Sequence, residues 1–473
     1  MSRILMVASE ATPFAKSGGL ADVVGALPQA LTQLGHEVAI VLPRYRSIKL
    51  DNAKRVWQNI GISLGWHTFT ADIFAVRHRD VTVYLVDIPL LFDRGGALYG
   101  HSDDHLRFAA FCQGALAVAR FLFTPDILHL HDWQASLCAS YLKTRYSLDP
   151  VLRDLKLVFT IHNLEYNGRF GRSVWGDLQL PDYLFSPDFL EYYGDIALMK
   201  GGIVFADAIT TVSPRYAEEI QTPEFGFGLD GLLRAQVHKL RGILNGVDYS
   251  DWSPDTDPYI AARYSASDLS GKAVCKQDLL DHFHLPPENL QRPLLGIVTR
   301  FAAQKGIDIM QQVAWSLMYN DDVALAVLGA ATPDTPDMRF EYFFEHLRSV
   351  FPDRVGIYRG FNNTLAHKIE AGADIFLMPS RFEPCGLNQM YSLRYGTIPV
   401  VRSTGGLENT VDGETGFKFW GYWPPDFLHA VRLALDEYRN RPEDWRQRMI
   451  TAMQRDFSWT ASARQYTTLY HSL

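Results

Sequence analysis

Residues 3–23 read R-I-L-M-V-A-S-E-A-T-P-F-A-K-S-G-G-L-A-D-V. The stretch opens with a short run, Ile4–Ala8, that is apolar at every position, which is typical of a strand buried on both faces. Polar residues follow directly, and a Gly-Gly pair then leads into a second apolar segment. This order of strand, polar loop and glycine turn opening a helix is the beginning of a parallel α/β unit.

Similar short apolar runs recur between longer helical stretches. The further runs of the first half are Val38–Leu42, Val81–Val86, Ile127–Leu130, Leu157–Ile161 and Ala208–Val212. Those of the second half are Leu294–Val298, Val323–Leu328, Val355–Tyr358, Ile375–Met378 and Ile398–Val401. Because such strands alternate with helices over 473 residues, we expect two doubly wound, Rossmann-like α/β domains.

The predicted domains are residues 1–245 and 259–456. Residues 246–258 between them are rich in turn-forming residues and lack periodicity, which indicates an interdomain linker. Residues 457–473 contain a last helix whose apolar face has to dock, and the first domain is one candidate place for it. Ligands of open α/β sheets lie at the carboxyl ends of the strands, so we expect the site in a deep cleft between the domains.

Composition excludes several classes of protein. The net charge of −8 argues against non-specific binding of nucleic acid, which needs a basic face. We identify no secretory signal and no run of the roughly 18 apolar residues that a membrane helix needs, so no membrane partner is expected. The four cysteines match no metal or disulfide spacing, and a reducing cytoplasm fits best.

The loop after the first strand is a candidate anion site. Gly18 and Gly19 open a helix, where backbone amides can approach an anion closely at the positive end of the helix dipole. Lys16 adds a full charge two residues earlier. The alternative is a plain turn between a strand and a helix.

Two cations follow the first strand of the second domain. Arg300 offers a planar fork and Lys305 a compact charge, and both can converge on one diphosphate. The alternative is that both are solvated surface charges that bind no diphosphate.

Two further polar clusters also follow apolar strands of the second domain. Glu383 comes just before Pro384, which we expect in the first turn of the next helix, with the amides of Gly386 and Leu387 directed at phosphate or sugar. Glu383 could instead serve only as a partner of the helix dipole. Cys385 is interpreted as a packed or close-approach thiol, and Thr404–Gly406 form a second glycine-rich loop that could face phosphate.

Histidines follow two strands of the first domain. His131-Asp132 comes after Ile127–Leu130, and His162-Asn163 comes after Leu157–Ile161. Strand ends favour functional residues in this fold class. A single histidine is nevertheless often only a structural hydrogen-bonding residue.

Taken together, these motifs resemble bacterial glycogen synthases and the related starch synthases, which are retaining glycosyltransferases of the GT-B architecture. The resemblance runs along essentially the whole chain. The segments that carry it are Lys16–Val23, His129–Trp133, Phe159–Leu164, Leu244–Asp248, Trp252–Pro254, Arg300 with Gln304–Gly306, Pro379–Leu387 and Ser403–Leu407. Many other retaining GT-B enzymes carry a second glutamate after the one that corresponds to Glu383. Tyr391 occupies that position here, and in having a non-acidic residue there the chain resembles glycogen synthases.

The resemblance implies that ADP-glucose donates glucose to the non-reducing 4-hydroxyl of an α-1,4-glucan such as glycogen, with retention and release of ADP. It implies catalytic roles for Arg300, Lys305, Glu383 and His162. The implied substrate-binding residues are Lys16, Gly18, Gly19, Asp22, Asn163, Asn245, Gln304, Phe361, Cys385, Gly386, Leu387, Thr404, Gly405 and Gly406. Among them, Phe361 is expected to stack on adenine. No metal and no pyridoxal phosphate are expected, because the cations take the place of a divalent ion at the diphosphate.

Two positions depart from the family pattern. Phe92 lacks a hydroxyl where the family often has Tyr, and Asn409 replaces the usual Asp of the Thr-Gly-Gly-Leu segment. The open alternatives are a GT-B enzyme that uses UDP-glucose, a glucan phosphorylase, and a catalytically idle glucan-binding protein.

Overall fold

The computed structural model describes residues 1–331 and 338–473. The chain forms two compact units. Unit 1 comprises residues 1–246 together with 459–473, and unit 2 comprises residues 247–458. Each unit is built around a mainly parallel sheet.

Unit 1 contains a nine-stranded sheet in the order β12-β11-β7-β6-β1-β2-β5-β4-β3 and a small three-stranded sheet, β8-β10-β9. The strands are β1 (Arg3–Val7), β2 (Glu37–Pro43), β3 (Lys54–Leu64), β4 (His67–His78), β5 (Val81–Asp87), β6 (Ile127–His131), β7 (Lys156–Ile161), β8 (Arg169–Phe170), β9 (Glu191–Tyr192), β10 (Asp195–Ala197), β11 (Ala208–Thr211) and β12 (Leu240–Gly242). All six predicted apolar runs are strands. They are parallel to one another, which fits strands buried on both faces.

The α-helices of unit 1 connect these strands. They are α1 (Gly19–Gln33), α2 (Pro89–Phe92), α3 (Asp104–Val118), α4 (Asp132–Lys143), α5 (Met199–Phe205), α6 (Pro214–Glu219) and α7 (Asp230–Ala235). Helix α1 begins at Gly19 with Gly18 as its flanking residue, so the prediction that the Gly-Gly pair opens a helix is confirmed.

The β3–β4 hairpin was not predicted from the sequence. It adds two antiparallel strands at the edge of the unit 1 sheet beyond β5. Strand β3 is exposed along most of its length, so it contains no continuous apolar run by which a buried strand is recognised.

Unit 2 contains a six-stranded parallel sheet in the order β15-β14-β13-β16-β17-β18. Its strands are β13 (Leu294–Arg300), β14 (Ala324–Ala330), β15 (Val355–Arg359), β16 (Ile375–Met378), β17 (Ile398–Arg402) and β18 (Phe417–Phe419). Its α-helices are α8 (Ser270–His282), α9 (Ile307–Asn320), α10 (Arg339–Val350), α11 (Asn363–Gly372), α12 (Asn388–Arg394), α13 (Gly405–Thr410), α14 (Pro424–Asn440) and α15 (Pro442–Met453). All five predicted runs are strands, whereas the three-residue β18 was missed.

The C-terminal helix, α16 (Trp459–His471), is part of unit 1. It packs on α1, and Trp459, Tyr466 and Tyr470 are buried in a cluster with Ile4 and Met6 of β1. The apolar face read from the sequence is therefore the face that completes this core.

One segment corrects the search for membrane helices. In the described part of the chain, the helical segment Asp104–Phe123 is long and apolar enough to cross a membrane by length and composition. Of its most apolar window, 78% is buried inside the protein, as in the core helix of a globular unit. The segment mixes small and apolar residues, so its mean hydropathy is high although it contains no unbroken apolar run. A search of the sequence for unbroken apolar runs therefore does not find it.

Candidate active site

The predicted donor-binding residues of unit 2 lie at the carboxyl ends of neighbouring parallel strands. Arg300 is the last residue of β13, Glu383 follows β16, and Thr404 follows β17. Since β13, β16 and β17 are adjacent in the sheet, the fold gathers at one edge residues that are about a hundred positions apart in the sequence.

Lys305 and Glu383 form an ion pair. The Lys305 ammonium donates to Glu383 Oε2 at 2.6 Å, and Ser380 Oγ donates to the same oxygen at 3.0 Å. Glu383 is only 5% exposed, so the two donors compensate a carboxylate that is largely removed from water. The sequence predicted separate partners for these two residues, whereas the fold places them in direct contact.

The loops that carry this pair are held together by their backbones. The amide of Arg381 donates to the Gln304 carbonyl at 2.8 Å. Gly306 has a φ of 74°, and a Cβ at this position would lie 1.9 Å from the Pro379 carbonyl oxygen. Glycine is required because the loop after β13 touches the loop after β16 and turns through a left-handed conformation.

Gly405 and Gly406 permit a second close approach. A Cβ on Gly405 would lie 1.9 Å from the Glu383 carbonyl oxygen, and one on Gly406 would lie 2.1 Å from the Cys385 carbonyl oxygen. The Gly406 amide donates to the Glu383 carbonyl at 3.1 Å, and the Thr404 amide donates to the Arg402 carbonyl. In this structure the loop therefore supports the backbone beside Glu383, and its role towards phosphate stays a prediction.

The placement of Pro384 corrects a sequence expectation. Helix α12 begins at Asn388 with Leu387 as its flanking residue, so Pro384 does not lie in the first helical turn. The backbone of 383–385 is instead packed against Gly405 and Gly406, which holds the segment out of helical geometry. Gly386 and Leu387 precede the helix, and Cys385 is buried.

Arg300 and Phe361 differ from this tightly bonded cluster. Among the residues that the structure describes, the Arg300 guanidinium makes no hydrogen bond or ion pair, although Arg300 ends the central strand β13. Phe361 follows β15 and is 83% exposed, so its ring face is accessible for stacking.

In unit 1 the loop after β1 is organised by Glu10. The Glu10 carboxylate accepts hydrogen bonds from the Ser17 amide at 2.5 Å, the Ser17 hydroxyl at 2.9 Å and the Gly18 amide at 3.2 Å. The Gly18 amide, which was expected to face a bound anion, thus binds an anionic side chain of the protein. Lys16 pairs with Asp22 at 2.7 Å, so two predicted substrate-binding residues contact each other.

His162 lies in a buried polar cluster of unit 1. Its Nε2 is 3.0 Å from His131 Nδ1, and its amide donates to Asp132 Oδ1 at 2.7 Å. Burial lowers the pKa of His162 to about 3 and raises the pKa of Asp132 to about 8. His162 is therefore a neutral imidazole near pH 7, able to donate or accept a hydrogen bond but not to supply a cation.

Asn245 and Asn163 also lie in unit 1. The Asn245 Oδ1 is buried without a hydrogen-bond partner in the described structure, although the residue is only 7% exposed. An unsatisfied buried acceptor is rare in native proteins and is consistent with a ligand-contacting role. Asn163 Oδ1 accepts from the Glu165 amide at 3.1 Å and shapes the turn after His162.

Sequence reasoning left two residues out of the candidate site, Glu10 and Asp132. Asp132 directly follows β6 and Glu10 lies three residues after the end of β1, and this position after a buried strand was the available signal. Their contacts depend on groups that are distant in sequence, as when Tyr99 donates to Glu10 Oε1 at 2.8 Å. Asp132 also has a φ of 56°, an uncommon backbone conformation for a residue other than glycine.

Phe92, Tyr391 and Asn409 were compared with the family pattern in the sequence, and the structure shows where each of them lies. Phe92 is 1% exposed and packs edge-on against Tyr45, so its ring belongs to the core of unit 1. Tyr391 stacks on Trp252 at a ring distance of 4.0 Å. Asn409 is exposed on α13.

Comparison with known proteins identifies the family. The family described as starch synthase catalytic domain matches residues 3–235, and glycosyl transferases group 1 matches residues 282–452. Glycogen synthases of Koribacter versatilis and Geobacillus stearothermophilus are 46% and 44% identical to the chain, covering 99% and 100% of it and 97% and 98% of their own lengths.

Solved structures agree with this assignment. The catalytic domain of starch synthase IV from Arabidopsis thaliana, bound to ADP and acarbose, superposes with a TM-score of 0.92 at 33% identity, with 100% of this chain and 99% of that chain covered. A sucrose-phosphate synthase from Thermosynechococcus elongatus shares the fold, with a TM-score of 0.62 at 17% identity and 100% and 99% coverage. The chain belongs to the glycogen and starch synthase family and is a glycosyltransferase of GT-B fold.

Proposed function

We propose that this chain transfers glucose from ADP-glucose to the non-reducing end of an α-1,4-glucan, with retention of configuration and release of ADP. The observation that carries the proposal is the Lys305–Glu383 ion pair at the carboxyl edge of the unit 2 sheet, where Arg300 ends the strand next to β16. The pair joins the Lys305 ammonium, which is suited to a diphosphate, to the Glu383 carboxylate, which is suited to sugar hydroxyls.

Stabilisation of the leaving group is the main chemical task. The diphosphate gains negative charge as the bond from the anomeric carbon to the phosphate oxygen breaks, and preorganised positive groups lower that barrier. Lys305 has three ammonium hydrogens, so its contact with Glu383 leaves others for phosphate oxygens. Arg300 supplies a planar fork at the end of the adjacent strand. These two cations take the place of a divalent ion in the proposal, and no cofactor is invoked.

The remaining residues position the sugar and the base. Glu383 accepts hydrogen bonds from glucose hydroxyls, held by Ser380 and Lys305. His162 contacts the glucosyl unit as a neutral imidazole, since burial keeps its pKa at about 3. Phe361 stacks on adenine through its exposed ring.

Retention is assigned to front-face substitution assisted by the departing phosphate. Among the residues that the structure describes, none is an obvious nucleophile towards the anomeric carbon, and Glu383 is already occupied by two donors. The four cysteines are buried free thiols, which supports the proposed cytoplasmic location.

The test follows labelled glucose into glycogen. ADP-glucose and UDP-glucose compete in the presence of EDTA, and we expect incorporation from ADP-glucose. We expect Lys305→Ala to lower kcat by a factor equivalent to about 2–4 kcal/mol, because a group that stabilises the leaving diphosphate is lost.

Lys368→Ala is the matched control, since the Lys368 side chain is 21% exposed against 20% for Lys305 and forms an ion pair with Asp278 elsewhere in unit 2. Incorporation only from UDP-glucose would overturn the donor assignment. A loss in Lys305→Ala no larger than in Lys368→Ala would remove Lys305 from catalysis.

A further inference from the structure

His162 is held by two consecutive residues at the end of the neighbouring strand. It directly follows β7, whereas His131 ends β6, the adjacent parallel strand, and Asp132 comes next. Asp132 Oδ1 accepts from the His162 amide at 2.7 Å, and His131 Nδ1 lies 3.0 Å from His162 Nε2. The backbone and the ring of His162 therefore have separate partners in unit 1.

The contact between the two rings leaves one nitrogen of His162 available. Burial lowers the pKa of His162 to about 3 and the pKa of His131 well below its ordinary value, so both imidazoles are neutral near pH 7. A neutral imidazole has one N–H and one bare nitrogen, and the hydrogen bond at Nε2 fixes which nitrogen of His162 carries the proton. His162 is 8% exposed, and its Nδ1 makes no hydrogen bond with any residue that the structure describes. Nδ1 is thus the nitrogen left for a ligand.

His131 is fixed in place but not fully satisfied. It is completely buried, and its ring lies 4.2 Å from that of His129, which is held by Tyr470 at 2.8 Å and Thr160 at 2.6 Å. His131 Nε2 is buried without a hydrogen-bond partner in the described structure. A buried polar atom without a partner costs stability, so packing alone does not explain a histidine here. What the imidazole adds is the hydrogen bond to His162.

We propose that His131 is a positioning residue, which holds the His162 ring with Nδ1 towards the glucosyl unit of the donor. Rotation of the His162 ring by 180° would exchange Nδ1 with a carbon atom, and the hydrogen bond at Nε2 opposes that rotation. A group that contacts the reacting sugar is effective only in one orientation. The inference rests on the proposed function, because the contact of His162 with the glucosyl unit is taken from it.

The experiment compares His131→Leu with His131→Asn. The two introduced side chains have the same branching and nearly the same size, and only the amide carries a polar atom where His131 Nδ1 stands. Initial rates with glycogen give kcat and the KM for ADP-glucose, calorimetry gives the affinity for ADP, and urea denaturation gives stability. We expect His131→Leu to lower kcat by about tenfold or more, and His131→Asn to recover most of the rate. The affinity for ADP should be unchanged in both variants, because ADP lacks the glucosyl unit.

A double-mutant cycle tests whether His131 acts through His162. We expect His162→Ala to lower kcat, and the addition of His131→Leu to cause no further loss, because the group that His131 positions is already absent. Losses that multiply in the double variant would overturn the inference.

The remaining outcomes separate this inference from the proposed function. Equal kcat values in His131→Leu and His131→Asn would overturn the inference, since the hydrogen bond would then be without effect. A loss of ADP affinity that parallels the loss of kcat in His131→Leu would also overturn it, because the role of His131 would be structural. Wild-type kcat in His162→Ala would overturn it as well and leave glucose transfer intact. A wild-type protein that neither binds ADP nor transfers glucose instead overturns the proposed function.

Discussion

Lys305 and Glu383 compensate each other's charge in the candidate site, and loss of either side chain would leave the other without its ionic partner in a largely buried position. Arg300, Lys305 and Glu383 could be chosen from the sequence because each follows an apolar strand. The Lys305–Glu383 contact at 2.6 Å could not, because the two residues are 78 positions apart and no local pattern reports such a pairing. The same holds for Glu10, whose partners at Ser17 and Gly18 depend on how the loop folds back.

The protonation of Asp132 gives a prediction about pH. Burial raises its pKa from an ordinary value of 3.8 to about 8. Between these two values the native protein retains a proton that the unfolded chain releases, so this residue makes the free energy of unfolding fall as the pH rises. We expect Asp132→Asn to flatten the decrease between pH 5 and pH 8, because the amide does not titrate. Urea denaturation at several pH values measures the slope.

Asp51→Asn is the control for this slope, since Asp51 is exposed in unit 1. Equal slopes in the wild type and in Asp132→Asn would show that Asp132 is ionised in the native protein throughout this range.

At the element scale, the sequence predicted the buried parallel strands and missed the exposed or very short ones. A strand covered on both faces must be apolar at every position, which makes β1, β6 and β13 recognisable. Strand β3 is exposed along most of its length and β18 has only three residues, so neither carries that signal. The loops that bear the site were identified by their position after strands, whereas their mutual contacts were not.

Gly306 tests the contact between two of these loops. Gly306→Ala places a Cβ 1.9 Å from the Pro379 carbonyl in a backbone with a φ of 74°. We expect the free energy of unfolding to fall by about 2 kcal/mol or more, because the strain of the left-handed conformation and the contact add together. The kcat should fall as well, since Lys305 is the preceding residue. Urea denaturation and initial rates with ADP-glucose measure the two effects.

Gly413→Ala is the matched control, because a Cβ there would meet nothing within 4 Å. If the two alanine variants were equally stable and equally active, the close approach at Gly306 would have no energetic importance.

At the scale of the whole molecule, each hydrophobic cluster that the structure describes belongs to one unit. One cluster joins β1, α1 and the C-terminal helix in unit 1, and the others lie within unit 2. The sequence predicted two domains and a last helix with an apolar face. It left the docking place of that helix open, because an apolar face does not specify its partner.

The C-terminal helix should therefore stabilise unit 1 selectively. Tyr470 is 4% exposed, and its hydroxyl lies 2.8 Å from His129 Nδ1 on β6. We expect Tyr470→Ala to destabilise unit 1 by about 3–5 kcal/mol, because a large buried ring is removed. Hydrogen exchange read by mass spectrometry should then accelerate in peptides from β6 and β7 while those from β13 and β14 keep wild-type protection. Phe344→Ala, at a fully buried position in unit 2, should reverse the pattern. Equal acceleration in both units with either variant would mean that the chain unfolds as one cooperative body, and the independence of the two cores would be refuted.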